Sequence, residues 1–340
     1  MTSIDHGYSA EFDALISTFA TTFGNDVADE LESADELELA TALRGALAGD
    51  STAANFAVER AHGALKRLGA WPTPAWCECY VLAQLRRCAE LLRSGDALEA
   101  QRALDMTLIF GAPSDALAPA VRAIESLYFS VVDARTSYVR SSRESGLLFP
   151  NEPPASKASD DIDRRLIERV EDAAAMSVND FKRYYLIDAP VVLANLGKDW
   201  RALSTWDDLE WWRLFHGHRS VPLELGGYED AHWREDVKTI ARFVNEDLAP
   251  SLSDDPGTSH VAYLAQHQLV DQLASLREDF LIPTICLKSL ERINVWMGTA
   301  GTVTPCHFDT YDNLLGQVGN FSLSARGVRF SATCSHSGIK

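Results

Sequence analysis

The chain has 340 residues, a formal net charge of −18, 46% hydrophobic and 24% charged residues. That balance is ordinary for a globular protein, and the negative charge argues against broad nucleic-acid binding, which needs clustered Lys and Arg. No apolar run is long enough to span a bilayer, and Met1–Tyr8 has neither the basic start nor the apolar core of a signal peptide.

Residues 8 to about 145 read as successive helices. Glu11–Phe23 places Phe12, Leu15, Ile16 and Phe19 at helical spacing. Asp26–Ala48 opens on acidic residues, which suit a helix N-terminus, and Gly49-Asp50-Ser51 ends it. Thr52–Leu68 is closed by Gly69 and Pro72; Pro74 opens the next helix, which Ser94-Gly95-Asp96 breaks. Residues 97–110 and 113–140 complete the set. Short connections and the lack of a clean repeat favour a helical bundle over a regular array. The acidic run Asp29–Glu36 reads as a solvated face. The six cysteines (Cys77, Cys79, Cys88, Cys286, Cys306, Cys334) form no CxxC pair, as expected of reduced thiols in a cytosolic or nuclear protein.

Residues 146–161, rich in Pro and Ser, read as a linker between a helical domain at 1–145 and a second domain at 162–318. Beyond it the pattern changes. Residues 190–194 and 220–225 are short β-branched runs that predict strands; residues 205–215 and 238–245 predict helices. A strand pair is predicted at Ile293–Met297 and Val303–His307. Short strands with few helices suggest an antiparallel barrel or jelly roll, so the fold class expected is α+β.

His307 and Asp309 carry the chemistry. Two apart on a strand, they would share one face. An imidazole beside a carboxylate makes two thirds of the 2-His-1-carboxylate triad that holds non-haem Fe(II).

Four blocks resemble the JmjC (Jumonji-C, cupin-like) oxygenases. They are Asp188–Leu193 followed by Trp200, Arg219–Gly226, Val261–Gln268 with its Tyr-Leu-Ala-Gln-His-Gln core, and Ile293–Val318. The resemblance implies a double-stranded β-helix behind the helical bundle, with Fe(II) as metal and 2-oxoglutarate as co-substrate. It implies iron ligation by His307 and Asp309, co-substrate contacts from Tyr263, Thr304 and Asn313, and a substrate side chain near Glu224, Gln266 and Trp296. The partner implied is a basic protein substrate, hydroxylated at arginine or demethylated at histone lysine, in the nucleus or cytoplasm. An iron-bound 2-oxo acid suits hydroxyl and cationic partners for its far carboxylate. A Glu and a Trp face suit a guanidinium.

The resemblance stops after Val318. Where the family carries a Lys for the co-substrate, this chain has Ser322, and no distal His stands at the family's place. His336 is a candidate third ligand, and Arg326 or Arg329 a candidate replacement for the Lys. The expectation is a jelly roll left incomplete, a tail (residues 319–340) foreign to it with no recognisable strand, and weak iron binding without turnover by this chain. The alternative is a non-enzymatic scaffold acting through the helical domain.

Overall fold

The computed structural model describes residues 20–111, 114–129, 168–171, 176–184, 191–227, 230–252, 261–288, 290–299, 302–304, 312–319 and 329–336, with Ala14, Ser17, Thr18, Ala173 and Asp309 besides. They form two compact units. One holds residues 1–136 with the tripeptide His218–Ser220; the other holds 137–217 and 221–340.

The first unit is helical: α1 Asn25–Ser33, α2 Leu37–Leu47, α3 Ser51–Leu68, α4 Pro74–Ser94, α5 Ala97–Ile109 and α6 Ser114–Phe129. Consecutive helices pack on one another, with α4 central among them. Their ends follow local chemistry. Asp50 accepts from the amides of Thr52 (2.9 Å) and Ala53 (3.2 Å) to cap α3, and Gly69 closes it in the left-handed conformation at φ 69°. Asp96 accepts from Glu99 N to cap α5. A small-residue stripe on α3 (Ala54, Ala57, Ala61, Ala64) is buried and lets α4 approach closely. The single helix expected over residues 26–48 is two. Asp35 adopts φ 65°, and Glu36 N turns back to Leu31 O at 2.9 Å. The helix expected at 11–23 lies mostly outside the described residues; residues 20–24 form one π-turn.

Arg219 is a buried cation of this unit. Its guanidinium reaches Asp105 through Nη2 at 2.7 Å and Nε at 3.1 Å, and Glu125 through Nη1 at 2.7 Å. Asp105 also accepts from Ser220 N at 2.9 Å. Burial opposes the charge, yet the two carboxylates hold Arg219 above its usual value. Burial, then the charge of Arg219, pushes neighbouring His218 down to about 4, so it meets Gln101 Oε1 (2.7 Å) as a neutral ring.

In the second unit, β1 (Glu168–Val170) and β2 (Val191–Leu193) pair in parallel. Helices α7 (Val178–Tyr184) and α8 (Leu209–His216) accompany a six-stranded sheet in the order β4-β3-β5-β6-β8-β7. Its strands are β3 Ser220–Leu225, β4 Arg234–Thr239, β5 Ala262–His267, β6 Leu290–Gly298, β7 Asp312–Gln317 and β8 Arg329–His336. Lys238 and Thr239, expected in a helix, end β4; the helix begins at Ile240, where the Thr239 hydroxyl caps it. Lys238 is buried against Asp247 at 2.7 Å. An aromatic cluster of Trp206, Trp211, Trp212 and Phe280 is anchored by Trp206 Nε1 donating to Asp279 at 2.8 Å.

Two expectations are corrected here. No strand runs through Thr302–Thr304, and Asp309 also lies outside any strand. The rest of the strand expected there, residues 305–307, lies outside the described residues. The tail, expected to carry no strand, supplies β8, paired to β6 and to β7. Its residues alternate: Phe330, Ala332 and Cys334 are apolar, while Ser331, Thr333 and Ser335 between them are polar. That period of two is a strand pattern, and pairing on both sides satisfies edges that β6 and β7 would otherwise leave open.

Replacing Arg219 with Met removes the cation between two buried carboxylates. Breaking a buried ion pair from one side costs about 3–5 kcal/mol. Urea unfolding of Arg219→Met followed by circular dichroism is expected to show a loss of that size.

Candidate functional site

The register of the sheet decides which side chains share a face. Glu224 of β3 stands opposite Tyr263 of β5, and Tyr263 opposite Gly298 of β6. Trp296 is two residues before Gly298. Trp296 and Gln317 face the same β8 position, and Asn313 is four residues before Gln317. Alternation therefore puts Glu224, Tyr263, Trp296 and Asn313 on one face. Glu224, Tyr263 and Trp296 are half-buried and Asn313 is exposed. On the opposite face of β3, β5 and β6, Leu223, Leu225, Ala262, Leu264, Ile293, Val295 and Met297 are apolar and buried. The polar residues of the sheet thus gather on one side because hydrophobic burial claims the other.

Tyr263 is held by what Gly298 lacks. A Cβ on Gly298 would lie 2.6 Å from Tyr263 Cδ2 and 2.7 Å from Thr302 Cγ2. The strand end is pinned by two further bonds, Thr299 N to Ala262 O and Ala262 N to Thr299 Oγ1, both 3.0 Å. Between Leu264 and His267 the register slips, so Ala265 and Gln266 together face Trp296. Gln266 takes φ 51° at this bulge and is exposed.

Glu224 is the charged member of the face. Burial raises its carboxyl above the ordinary 4.5; a hydrogen bond from Trp233 works against this, and the charge of Glu235 adds to it. Trp233 and Glu235 were not legible as site residues, since nothing in their local spacing marks them. Thr302 was missed as well. It is 2% exposed, and its hydroxyl has no hydrogen-bond partner among the described residues.

At the far side of the sheet, Asn313 Nδ2 donates to Asp309 Oδ2 at 2.5 Å. The carboxylate is thereby oriented by the next strand. Thr304 is exposed, in the stretch without strand pairing. His307 lies outside the described residues. Among the described residues no three His, Cys, Asp or Glu side chains group around a metal position. Of the implied iron ligands, only Asp309 has a described surrounding; an oxygen donor steadied by an amide suits a hard or borderline divalent cation. The position of His336 pairs with Asp312, one step out of register with Asn313 and Ser335.

Comparison with known proteins gives two family matches. Residues 178–319 match the family described as cupin-like domain, and residues 33–131 the family described as KDM8-like, N-terminal ARM repeats. Lysine-specific demethylase JMJ30 of Arabidopsis thaliana is 32% identical over 304 residues, covering 80% of this chain and 68% of that protein. Lysine-specific demethylase 8 of Xenopus tropicalis is 27% identical, covering 93% of this chain and 80% of that protein. Jumonji C domain-containing protein 5 of Drosophila melanogaster is 35% identical over 152 residues, covering 42% of this chain and 37% of that protein.

Two outcomes are expected at this site. Gly298→Ala forces Tyr263 aside and costs about 1–3 kcal/mol by overpacking; in a cycle with Tyr263→Ala the two losses should be clearly less than additive. Glu224→Gln removes a carboxylate whose folded pKa is raised, so the folded parent binds its proton more tightly than the unfolded chain. The parent is penalised once pH rises through that raised value. Thermal midpoints should favour Glu224→Gln at neutral pH, with the difference shrinking as pH falls towards the ordinary 4.5.

Proposed function

Because the chain belongs to the JmjC family of cupin-like proteins, with KDM8-like ARM repeats before the cupin-like region, we infer that its second unit serves Fe(II)- and 2-oxoglutarate-dependent oxidation of a basic residue in a protein, as an arginyl hydroxylase or a histone lysine demethylase. The observation that supports this reading is the common polar face of Glu224, Tyr263, Trp296 and Asn313, backed across β3, β5 and β6 by buried apolar residues.

Iron and 2-oxoglutarate, when bound, supply the oxidant for a C–H bond of the substrate. His307 and Asp309 are the residues that would hold the metal, and Asn313 keeps the Asp309 carboxylate turned. Tyr263, Thr304 and Asn313 bring hydroxyl and amide groups to the co-substrate. Glu224 and Trp296 suit a guanidinium or ammonium, by charge pairing and by stacking on the indole face. A bound cation would pull the raised Glu224 pKa down, favouring the ionised pair. Gln266, exposed at its bulge, offers an amide at the rim. An overall charge of −18 raises the local concentration of basic partners. Nuclear or cytoplasmic action accompanies that substrate class. Among the described residues no helix is long and apolar enough to cross a membrane.

The full reaction needs more than these assigned groups. Ser322 stands where the resemblance calls for a cationic co-substrate partner, and His307 with Asp309 leaves the facial set one ligand short. The 340 residues alone are expected to bind Fe(II) weakly and to release no succinate from 2-oxoglutarate beyond the level of Asp309→Ala. Stoichiometric iron with Asp309-dependent succinate release overturns that expectation. Binding of 2-oxoglutarate in the presence of Mn(II), followed by NMR and weakened in Tyr263→Phe and Asp309→Ala, tests the site itself.

A second reading, partner binding without catalysis, is supported by the ARM-repeat match, since stacked helical repeats form extended binding surfaces. Absence of any 2-oxoglutarate binding, with intact capture of a partner protein, would favour it.

A further inference from the structure

The helical unit contains a cavity of about 440 Å³ between α3 and α4, with Met106 of α5 at one side. Its size is that of a small-ligand site. Its floor is polar although buried. Gln84 is 3% exposed and donates through Nε2 to the Tyr80 hydroxyl at 2.9 Å. The Tyr80 oxygen accepts that bond. Gln84 Oε1 is buried with no hydrogen-bond partner among the described residues. An unsatisfied buried acceptor costs on the order of 1–3 kcal/mol.

The rim is charged. Lys66 and half-buried Arg87 both line the cavity. Neither pairs with a carboxylate among the described residues, although the protein carries an excess of acidic side chains. The third charge on the rim is Glu59. His62, also in the lining, is pushed down by burial and then by the charge of Lys66, and so stays neutral. Its ring lies 5.7 Å from that of Tyr80, giving an aromatic wall opposite Met106. Gly63 leaves the mouth clear, because a Cβ there would meet no atom within 4 Å.

We propose that this cavity binds a carboxylate carried close to an N–H donor, with its alkyl stem against His62, Tyr80 and Met106. Arg87 and Lys66 supply the donors for the carboxylate; Glu59 accepts from the N–H. Two sources carry that chemistry: an acidic residue in a segment of a partner protein, and a small acylated amino acid.

The test uses the full chain and two probes, a fluorescein-labelled peptide of alternating Glu and Gly read by anisotropy, and N-acetylglutamate read by NMR. The same peptide with Gln for Glu is the control. Arg87→Leu is expected to weaken binding about tenfold or more, the loss of one charge-assisted contact; Arg87→Lys should restore part of it. Gly63→Leu should abolish binding by filling the mouth, while the better helix former keeps the fold intact. Peptide binding alone identifies a docking site for an acidic segment; binding of N-acetylglutamate as well identifies a small-molecule site. The proposal is overturned if neither probe binds the folded chain, if the Gln peptide binds equally, or if Gly63→Leu and Arg87→Leu leave affinity unchanged.

Discussion

The arrangement of the sheet turns on the absence of one side chain. Gly298 lets the Tyr263 ring lie against the backbone of β6, and the same register sets Glu224 across from Tyr263. If that pairing slipped by one residue, every polar group of the face would exchange places with the buried Leu and Val set. Hydrophobic burial on the apolar side forbids the slip. The geometry of the polar side is thus enforced by residues that never touch it. The bulge at Gln266 relaxes the constraint locally, and there an exposed amide takes a left-handed backbone.

Much of this could be read in advance, for identifiable reasons. The turns at Asp50, Gly69 and Gly95–Asp96 depend on capping chemistry that acts over three or four residues, and sequence states it directly. Strand β3 was legible because its apolar run has strand length and β-branched content. The break at Asp35 was not, because a left-handed Asp in an acidic helical run has no local signature. Lys238 was misplaced since its burial depends on Asp247, a partner met only after the chain turns. The alternation in Arg329–His336 was present but hidden by a polar composition. Conversely, Val303 and Thr304, expected at the start of a strand, lie outside one although both are β-branched. Of the candidate site, the residues carried by the sheet fall on one face, whereas the surroundings of Glu224, Trp233 and Glu235, come from β4 and the residue before it, which spacing within β3 does not reveal.

The distribution of charge runs against its sum. The surface is acidic, yet Arg219 and Lys238 are buried, each ringed by carboxylates. Burying such cations is tolerable only where carboxylates surround them, since desolvation of an isolated charge is severe. Lys66 and Arg87 depart from this pattern: they face an open volume with a single carboxylate beside them. Local electrostatics, not net charge, therefore distinguishes the two polar regions, one suited to cations at Glu224 and one to anions at Arg87.

The Arg219 triad also makes the helical unit discontinuous along the chain. Helical repeats are commonly handled as separable modules, cut from their neighbours at the nearest linker. Residues 1–145 obtained in that way would retain Asp105 and Glu125 but leave behind the guanidinium that lies between them. Such a fragment would carry two buried carboxylates without their counter-ion, and its behaviour would report that defect instead of the properties of the repeats. A faithful separate version of this unit has to bring His218–Ser220 with it, by circular permutation or by adding the tripeptide on a tether.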